Sequence, residues 1–213
     1  MWIRNFSFER RLKQKGYRII VGLDEVGRGA IAGPVVAAAV AVLPDFRLRN
    51  IAVADSKAIS PTKREKIYFQ LIKHTKIFWA LGIVSPTLID KHNIFFASKL
   101  AMKRAVLNLK KKIKDKIDYL IVDGGFKIPF AGEQMSIVGA DKKIFVCASA
   151  SIIAKVKRDR LMKRLDSYYP VYQFSKNKGY PTRFHLYSLK IFGPCEFHRK
   201  SFRPVKELRP LNK

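Results

Sequence analysis

Apolar positions along the chain fall into short β-branched runs and longer helical stripes, and the alternation of the two sets the expected architecture. Residues 18–24 (RIIVGLD) form one short run and residues 34–43 (PVVAAAVAVL) another, separated by the glycine-rich GRGAIAG. They predict two strands joined by a structured turn, with a buried helix as the competing reading of the second run because alanine is plentiful there. Ser60 followed by Pro61 signals a helix start, and Ile67, Leu71 and Ile72 continue it at near-helical spacing toward His74. Residues 77–84 predict a strand. Residues 94–112 carry an apolar stripe that ends in Lys110, Lys111 and Lys112, the charge expected at a helix C-terminus. Residues 117–122 (IDYLIV) resemble a strand buried on both faces and stop at Asp123-Gly124-Gly125. A long helical pattern follows over 144–165.

Strands first, then alternating helices and strands, predict an α/β domain with a mixed central sheet flanked by helices. One folded unit over residues 1–213 is expected, with no internal repeat or low-complexity linker. From Gly179 onward, aromatic and basic residues cluster, which predicts a small helical C-terminal extension over 179–213.

Composition adds a partner class. The 43 Lys and Arg against 16 Asp and Glu give a formal charge of +27, a field that attracts polyanions. Nucleic acid is the first partner to consider, although a basic surface by itself says nothing about catalysis. Cys147 and Cys195 are too few for a disulfide framework, and no spacing forms a zinc ligand set. The start, MWIRNFSFERRLKQKGY, lacks the apolar core of a signal peptide, and no stretch reaches the length of a membrane span. A cytoplasmic monomer with no membrane association is expected.

Candidate chemistry begins at Asp24 and Glu25, adjacent acids at a strand end in a chain with few acids. An isolated Asp-Glu pair is usually a surface turn, so the other acids decide the matter. Asp123 also directly follows a buried strand, and open sheets place ligands beyond the carboxyl ends of such strands. Asp141 precedes a long helix, where it either complements the helix dipole or adds a further oxygen donor. Four acids near one point repel unless divalent cations lie among them, and magnesium or manganese prefers such ligands. Paired cations of this kind activate water and neutralise a phosphate leaving group. Because neighbours on a strand point to opposite faces, a bend is expected at Asp24 and Glu25, helped by Gly27 and Gly29. The glycines of GRGAIAG do not fit a dinucleotide fingerprint, because the last spacing is one residue too long and a strand-like run follows. Asp159, flanked by Arg158 and Arg160, is expected to be an ion-paired structural residue. The four histidines show no paired metal spacing and receive no role.

The motifs DEVGRGAIAGPV, DSK at 55–57, YLIVDGG, GAD, SASIIAKVKRDR, NKGYPT and HRKSF, in this order, resemble the bacterial ribonuclease HII family over roughly residues 18–205. The resemblance implies a ribonuclease H-like fold. It also implies cleavage on the 5′ side of a ribonucleotide, in RNA:DNA hybrids or in duplex DNA containing single ribonucleotides, with Mg2+ or Mn2+ in a two-metal site. It assigns metal binding and catalysis to Asp24, Glu25, Asp123 and Asp141, and substrate contact to Gly27, Arg28, Gly29, Lys57 and Tyr180. A 2′-hydroxyl both donates and accepts hydrogen bonds, which suits the backbone groups of a glycine turn. The chain departs from the family pattern at Asn177, where a histidine is common, and in AIS after DSK, where KLS is usual. Two rivals are ribonuclease HIII, which usually carries GKG and an additional N-terminal domain, and a basic nucleic-acid-binding protein without catalysis. The seventeen or so residues before the first strand are too few for that additional domain.

Overall fold

The computed structural model describes residues 2–3, 6–46, 51–113 and 115–208. Residues 209–213 of the expected C-terminal extension therefore lie outside the described residues. In chain order the elements are β1 (Trp2–Ile3), α1 (Ser7–Gln14), β2 (Ile20–Val26), β3 (Val35–Val42), β4 (Val53–Ala54), α2 (Pro61–Lys73), β5 (Ile77–Val84), α3 (Pro86–His92) and α4 (Ile94–Lys110). They continue with β6 (Tyr119–Asp123), β7 (Glu133–Ile137), α5 (Phe145–Tyr168), α6 (Phe174–Asn177) and α7 (Arg183–Phe192).

Five strands form one mixed sheet in the order β5-β3-β2-β6-β7, while β1 and β4 make a separate antiparallel pair. Strand β3 runs antiparallel to both β5 and β2, whereas β2, β6 and β7 are mutually parallel. The 34–43 run is a strand, and every residue of β3 is buried. Its alanines explain how. Ala37, Ala39 and Ala41 face the apolar cluster containing α3 and α4, while Ala38, Val40 and Val42 face the cluster containing α1, α2 and α5. Small side chains let helices close on both faces of one strand. Gly22 shows how close that approach is: a Cβ added there would lie 2.4 Å from the backbone carbon of Val146 in α5.

The helices begin where side chains can cap them. Ser60 accepts from the Lys63 N–H at 3.3 Å, and Pro61 takes the first helical position of α2. The same Ser-Pro device starts α3 at Ser85 and Pro86. Helix α5 is capped from a distance: Glu9 of α1, only 1% exposed, accepts the Val146 N–H at 3.0 Å. A third apolar cluster joins Ile31, Ala32 and Met162 to Tyr172, Phe174, Leu189 and Val205, and so packs the C-terminal segment onto α5 and the GRGAIAG loop. No helix of the described residues is long and apolar enough to cross a membrane.

Burial raises the Glu9 carboxyl from the ordinary 4.5 to about 7, even though backbone N–H groups at the start of α5 favour its charge. The folded state therefore holds this proton more tightly than the unfolded chain. Its stabilisation is complete below about pH 4.5 and is lost as pH rises through about 7. Glu9→Gln keeps the acceptor and removes the titration. Relative to wild type, the variant should gain on the order of 3 kcal/mol between acid and alkaline pH, measured by urea unfolding at several pH values. A parallel pH dependence of the two proteins would contradict this.

Candidate active site

The sheet register builds the site. Parallel pairing of β2 with β6 ends at Leu23 opposite Val122, so Asp24 and Asp123 emerge side by side at the carboxyl edge of the sheet. Asp141 arrives on a short 3-10 turn, Ala140–Lys142, that leads into α5. Asp24, Asp123 and Asp141 each offer a carboxylate oxygen, and these oxygens lie within 4.8 Å of one another. One oxygen of Asp123 is fixed by the Ala140 N–H at 2.9 Å, which ties the β6 end to the turn carrying Asp141.

The electrostatics are those of acids crowded out of water. Burial, then the charges of Glu25, Asp123 and Asp141, hold the Asp24 carboxyl well above the usual carboxylate range. Burial also raises Asp123 and Asp141, with nearby Lys57 opposing both shifts. All three groups are hard oxygen donors, and a divalent cation among them would relieve both the repulsion and the desolvation. The residues present therefore fit such an ion.

Glu25 stands apart from the three. It is held by Arg28 at 3.2 Å, although it borders the same cavity. The bend expected at Asp24 and Glu25 is absent, because β2 stays in register with β3 through Val26. The chain turns at Gly27, whose φ is +95°. Both acids still reach one cavity because β2 loses its β6 neighbour beyond Leu23, which leaves the sheet end open on that side.

That cavity, of about 610 Å³, is lined by Asp24, Glu25, Gly27, Arg28, Gly29, Lys57, Asp123, Asp141 and Tyr180. All nine residues singled out in the sequence thus meet in one place. Asp55 lines it too and adds to the upward shift of Asp141; sequence reasoning passed over it, although it opens the DSK motif. An adjoining cavity adds Ser56, Ser151 and Lys155, with the two serine hydroxyls 2.8 Å apart.

Two further residues escaped the sequence reading. Arg158 and Arg199 are fully buried, and among the described residues neither forms an ion pair. Each is spent on backbone carbonyls. Arg199 donates to Gly27, Arg28 and Gly33, and Arg158 to Ala32, Pro34 and Lys178. Arg158 also lies 5.6 Å from the Tyr180 ring centre. The planar guanidinium fork suits this work, since it offers five donors at fixed angles. Arg199 lies in HRKSF, so the motif carried the signal. Asp159 is ion-paired as expected, but to Lys155 at 2.8 Å; Arg160 pairs instead with Glu65.

Comparison with solved structures places this architecture. Ribonuclease H2 from Pyrococcus horikoshii OT3 superposes with a TM-score of 0.72 at 26% identity, covering 89% of this chain and 96% of that one. The ribonuclease HII of a PCNA complex from Archaeoglobus fulgidus gives 0.73 at 27%, covering 87% and 95%. A Bst-RNase HIII structure containing Mn2+ shares the fold at 18% identity, with a TM-score of 0.64 over 92% of this chain and 70% of that one. The mixed sheet shared with these ribonucleases places the chain among endoribonucleases of the ribonuclease H-like fold, and the acids gathered beyond the ends of two parallel strands fit metal dependence.

Sequence comparison narrows the class. A family model described as Ribonuclease HII matches residues 21–205. Ribonuclease HII of Bacillus subtilis is 45% identical over 208 residues, covering 98% of this chain and 78% of that protein. The Caldicellulosiruptor bescii protein is 46% identical over 198 residues, covering 92% of both. The chain belongs to the ribonuclease HII family. Its activity is that of a ribonuclease H, acting on RNA:DNA hybrids.

Gly27 gives a direct test of the loop's construction. A Cβ there would lie 2.2 Å from Arg158 Nε, on a backbone that L side chains rarely adopt. Gly27→Ala should cost on the order of 1–3 kcal/mol in urea unfolding and lower cleavage. Unchanged stability would show that the loop is not held as described.

Proposed function

We propose that the protein is an endonuclease that hydrolyses the RNA strand of RNA:DNA hybrids and cuts on the 5′ side of ribonucleotides embedded in duplex DNA. The observation that carries this reading is the meeting of Asp24, Asp123 and Asp141, within 4.8 Å of one another, in a cavity shared with the GRG turn, Lys57 and Tyr180. In the reaction, water attacks phosphorus and the bond to the 3′-oxygen breaks. The products carry a 3′-hydroxyl and a 5′-phosphate.

Asp24, Asp123 and Asp141, with Glu25, would hold two divalent ions, either Mg2+ or Mn2+. Such ions supply Lewis-acid activation of water and neutralise charge at the phosphate. The family match and the all-oxygen donor set support this. Glu25 is the member whose recruitment depends on substrate: a phosphate competing for Arg28 would release its carboxylate toward the other three.

The remaining residues select and orient the substrate. Gly27, Arg28 and Gly29 line the cavity; with the Gly27 and Arg28 carbonyls held by Arg199, the N–H groups of the turn would donate to a 2′-hydroxyl, the group that separates ribose from deoxyribose. Tyr180 presents a flat ring to the adjoining sugar or base. Lys57 offers a cation to a backbone phosphate. The C-terminal segment contributes to substrate contact through Tyr180 and by packing against the GRGAIAG loop.

The direct test is incubation of the protein with a duplex carrying one ribonucleotide, with and without Mg2+ or Mn2+. Metal-dependent cleavage 5′ of the ribonucleotide is expected, and absence of cleavage under every metal condition would overturn the proposal. Asp24→Asn should abolish cleavage while largely sparing duplex binding; equal loss of both would make Asp24 structural. Tyr180→Ala should lower cleavage at the DNA–RNA junction, and an unchanged rate would remove Tyr180 from the site.

A further inference from the structure

Behind Tyr180, and outside the cavity, lie two buried histidines that the proposed mechanism does not use. His185, on the first turn of α7, is 0% exposed and His198 is 1% exposed. Their Nε2 atoms are 3.0 Å apart. Rings of Tyr172 and Phe174 enclose them, the nearest being Tyr172, 4.7 Å from His198 between ring centres.

The hydrogen bonds leave one arrangement of protons. The Cys195 N–H donates to His198 Nδ1 at 3.0 Å, so that nitrogen carries no proton, and the Cys195 sulfur lies 3.2 Å from the same atom. His198 must then carry its proton on Nε2 and donate it to His185 Nε2. His185 in turn carries its proton on Nδ1, which faces the Tyr180 carbonyl at 2.8 Å. A second proton on either ring would set N–H against N–H, or N–H against the Cys195 N–H. Burial acts the same way, pushing His198 down to about 4 and lowering His185.

Both ends of this chain lead to the elements proposed to read the ribonucleotide. At one end the Tyr180 carbonyl is held, and Tyr180 lines the cavity. At the other, His198 pairs with Ala32 across a β-bridge, and its neighbour Arg199 holds the carbonyls of Gly27 and Arg28. The histidine pair thus joins the Tyr180 turn to the GRG turn through one ordered set of donors.

We infer that His185 is a positioning residue for Tyr180: its Nδ1–H, directed by His198, holds the Tyr180 carbonyl and so keeps the ring at the cavity in register with the GRG turn. This rests on the reading of Tyr180 as a ribonucleotide contact, and the test separates the two.

Two-bond proton–nitrogen spectra of the 15N-labelled protein at neutral pH report each histidine's tautomer directly. His185 protonated on Nδ1 and His198 protonated on Nε2 are expected, both neutral. The opposite tautomer at either ring, or a charged ring, would overturn the inference whatever the variants do. For function, His185→Phe keeps an aromatic ring in the box and removes the donor, and should lower the cleavage rate at a single ribonucleotide about tenfold, the effect of one buried hydrogen bond. His185→Asn, which keeps an N–H near the Nδ1 position, should recover most of that loss. In a Tyr180→Ala background, His185→Phe should add nothing further. A full tenfold additional loss there would show that His185 does not act through Tyr180. If Tyr180→Ala alone leaves the rate unchanged, the recognition reading fails, while the spectra still judge the proton chain.

Discussion

Three carboxylates pressed together at the end of a sheet are the constraint around which the structure is arranged. Asp24, Asp123 and Asp141 come from a central strand, its parallel neighbour and the turn before α5, and each is raised by burial. No folded chain holds such a group cheaply, since desolvation and mutual repulsion act in the same direction. The surrounding architecture supplies what keeps them there. Gly22 lets α5 close on β2, the Ala140 N–H fixes Asp123, and β3 is buried on both faces behind them. A cluster that is costly when empty is one prepared for cations, and that links the fold to the chemistry of the family.

Positive charge is managed in the complementary way. The chain carries +27 overall, yet Arg158 and Arg199, packed against the glycine turn, are buried and serve backbone carbonyls rather than carboxylates. Their geometry stiffens the loop that borders the cavity, and Arg28 on its surface remains engaged with Glu25. On the proposed reading, a phosphate entering the cavity would meet a loop whose shape is already set and a surface arginine paired with Glu25. The histidine pair extends the same design to Tyr180, with uncharged donors in place of cations.

Much of this was legible in the sequence, for identifiable reasons. Strands β2, β3, β5 and β6 and helices α2, α4 and α5 announce themselves because each buries a continuous apolar run or stripe. Strand β7 did not, because EQMSI is a half-exposed edge with no clear alternation. Helix α3 is too short for a stripe, although its Ser85-Pro86 start repeats the signal read at Ser60-Pro61. At the site, all nine candidate residues line one cavity, but the pairing of Glu25 with Arg28, three residues apart across the turn at Gly27, follows from the geometry of that turn, which the sequence reading placed at the acids instead. The expected bend was misplaced by two residues because an edge left open by a departing strand is invisible along one chain. The histidines looked unremarkable for the same reason: His185 and His198 are thirteen residues apart, with the rest of α7 between them, and meet only in the folded chain.

The central claim is that the acidic cluster is a divalent-ion site formed jointly by Asp24, Asp123 and Asp141. Calorimetric titration with Mn2+ in the absence of nucleic acid tests it most directly, because it reads the ion without requiring turnover. Saturable binding to the wild-type protein, lost or severely weakened in Asp123→Asn while the variant's unfolding midpoint in urea is retained, is the predicted result. Binding of equal strength in the variant, or none in the wild type, would contradict the account.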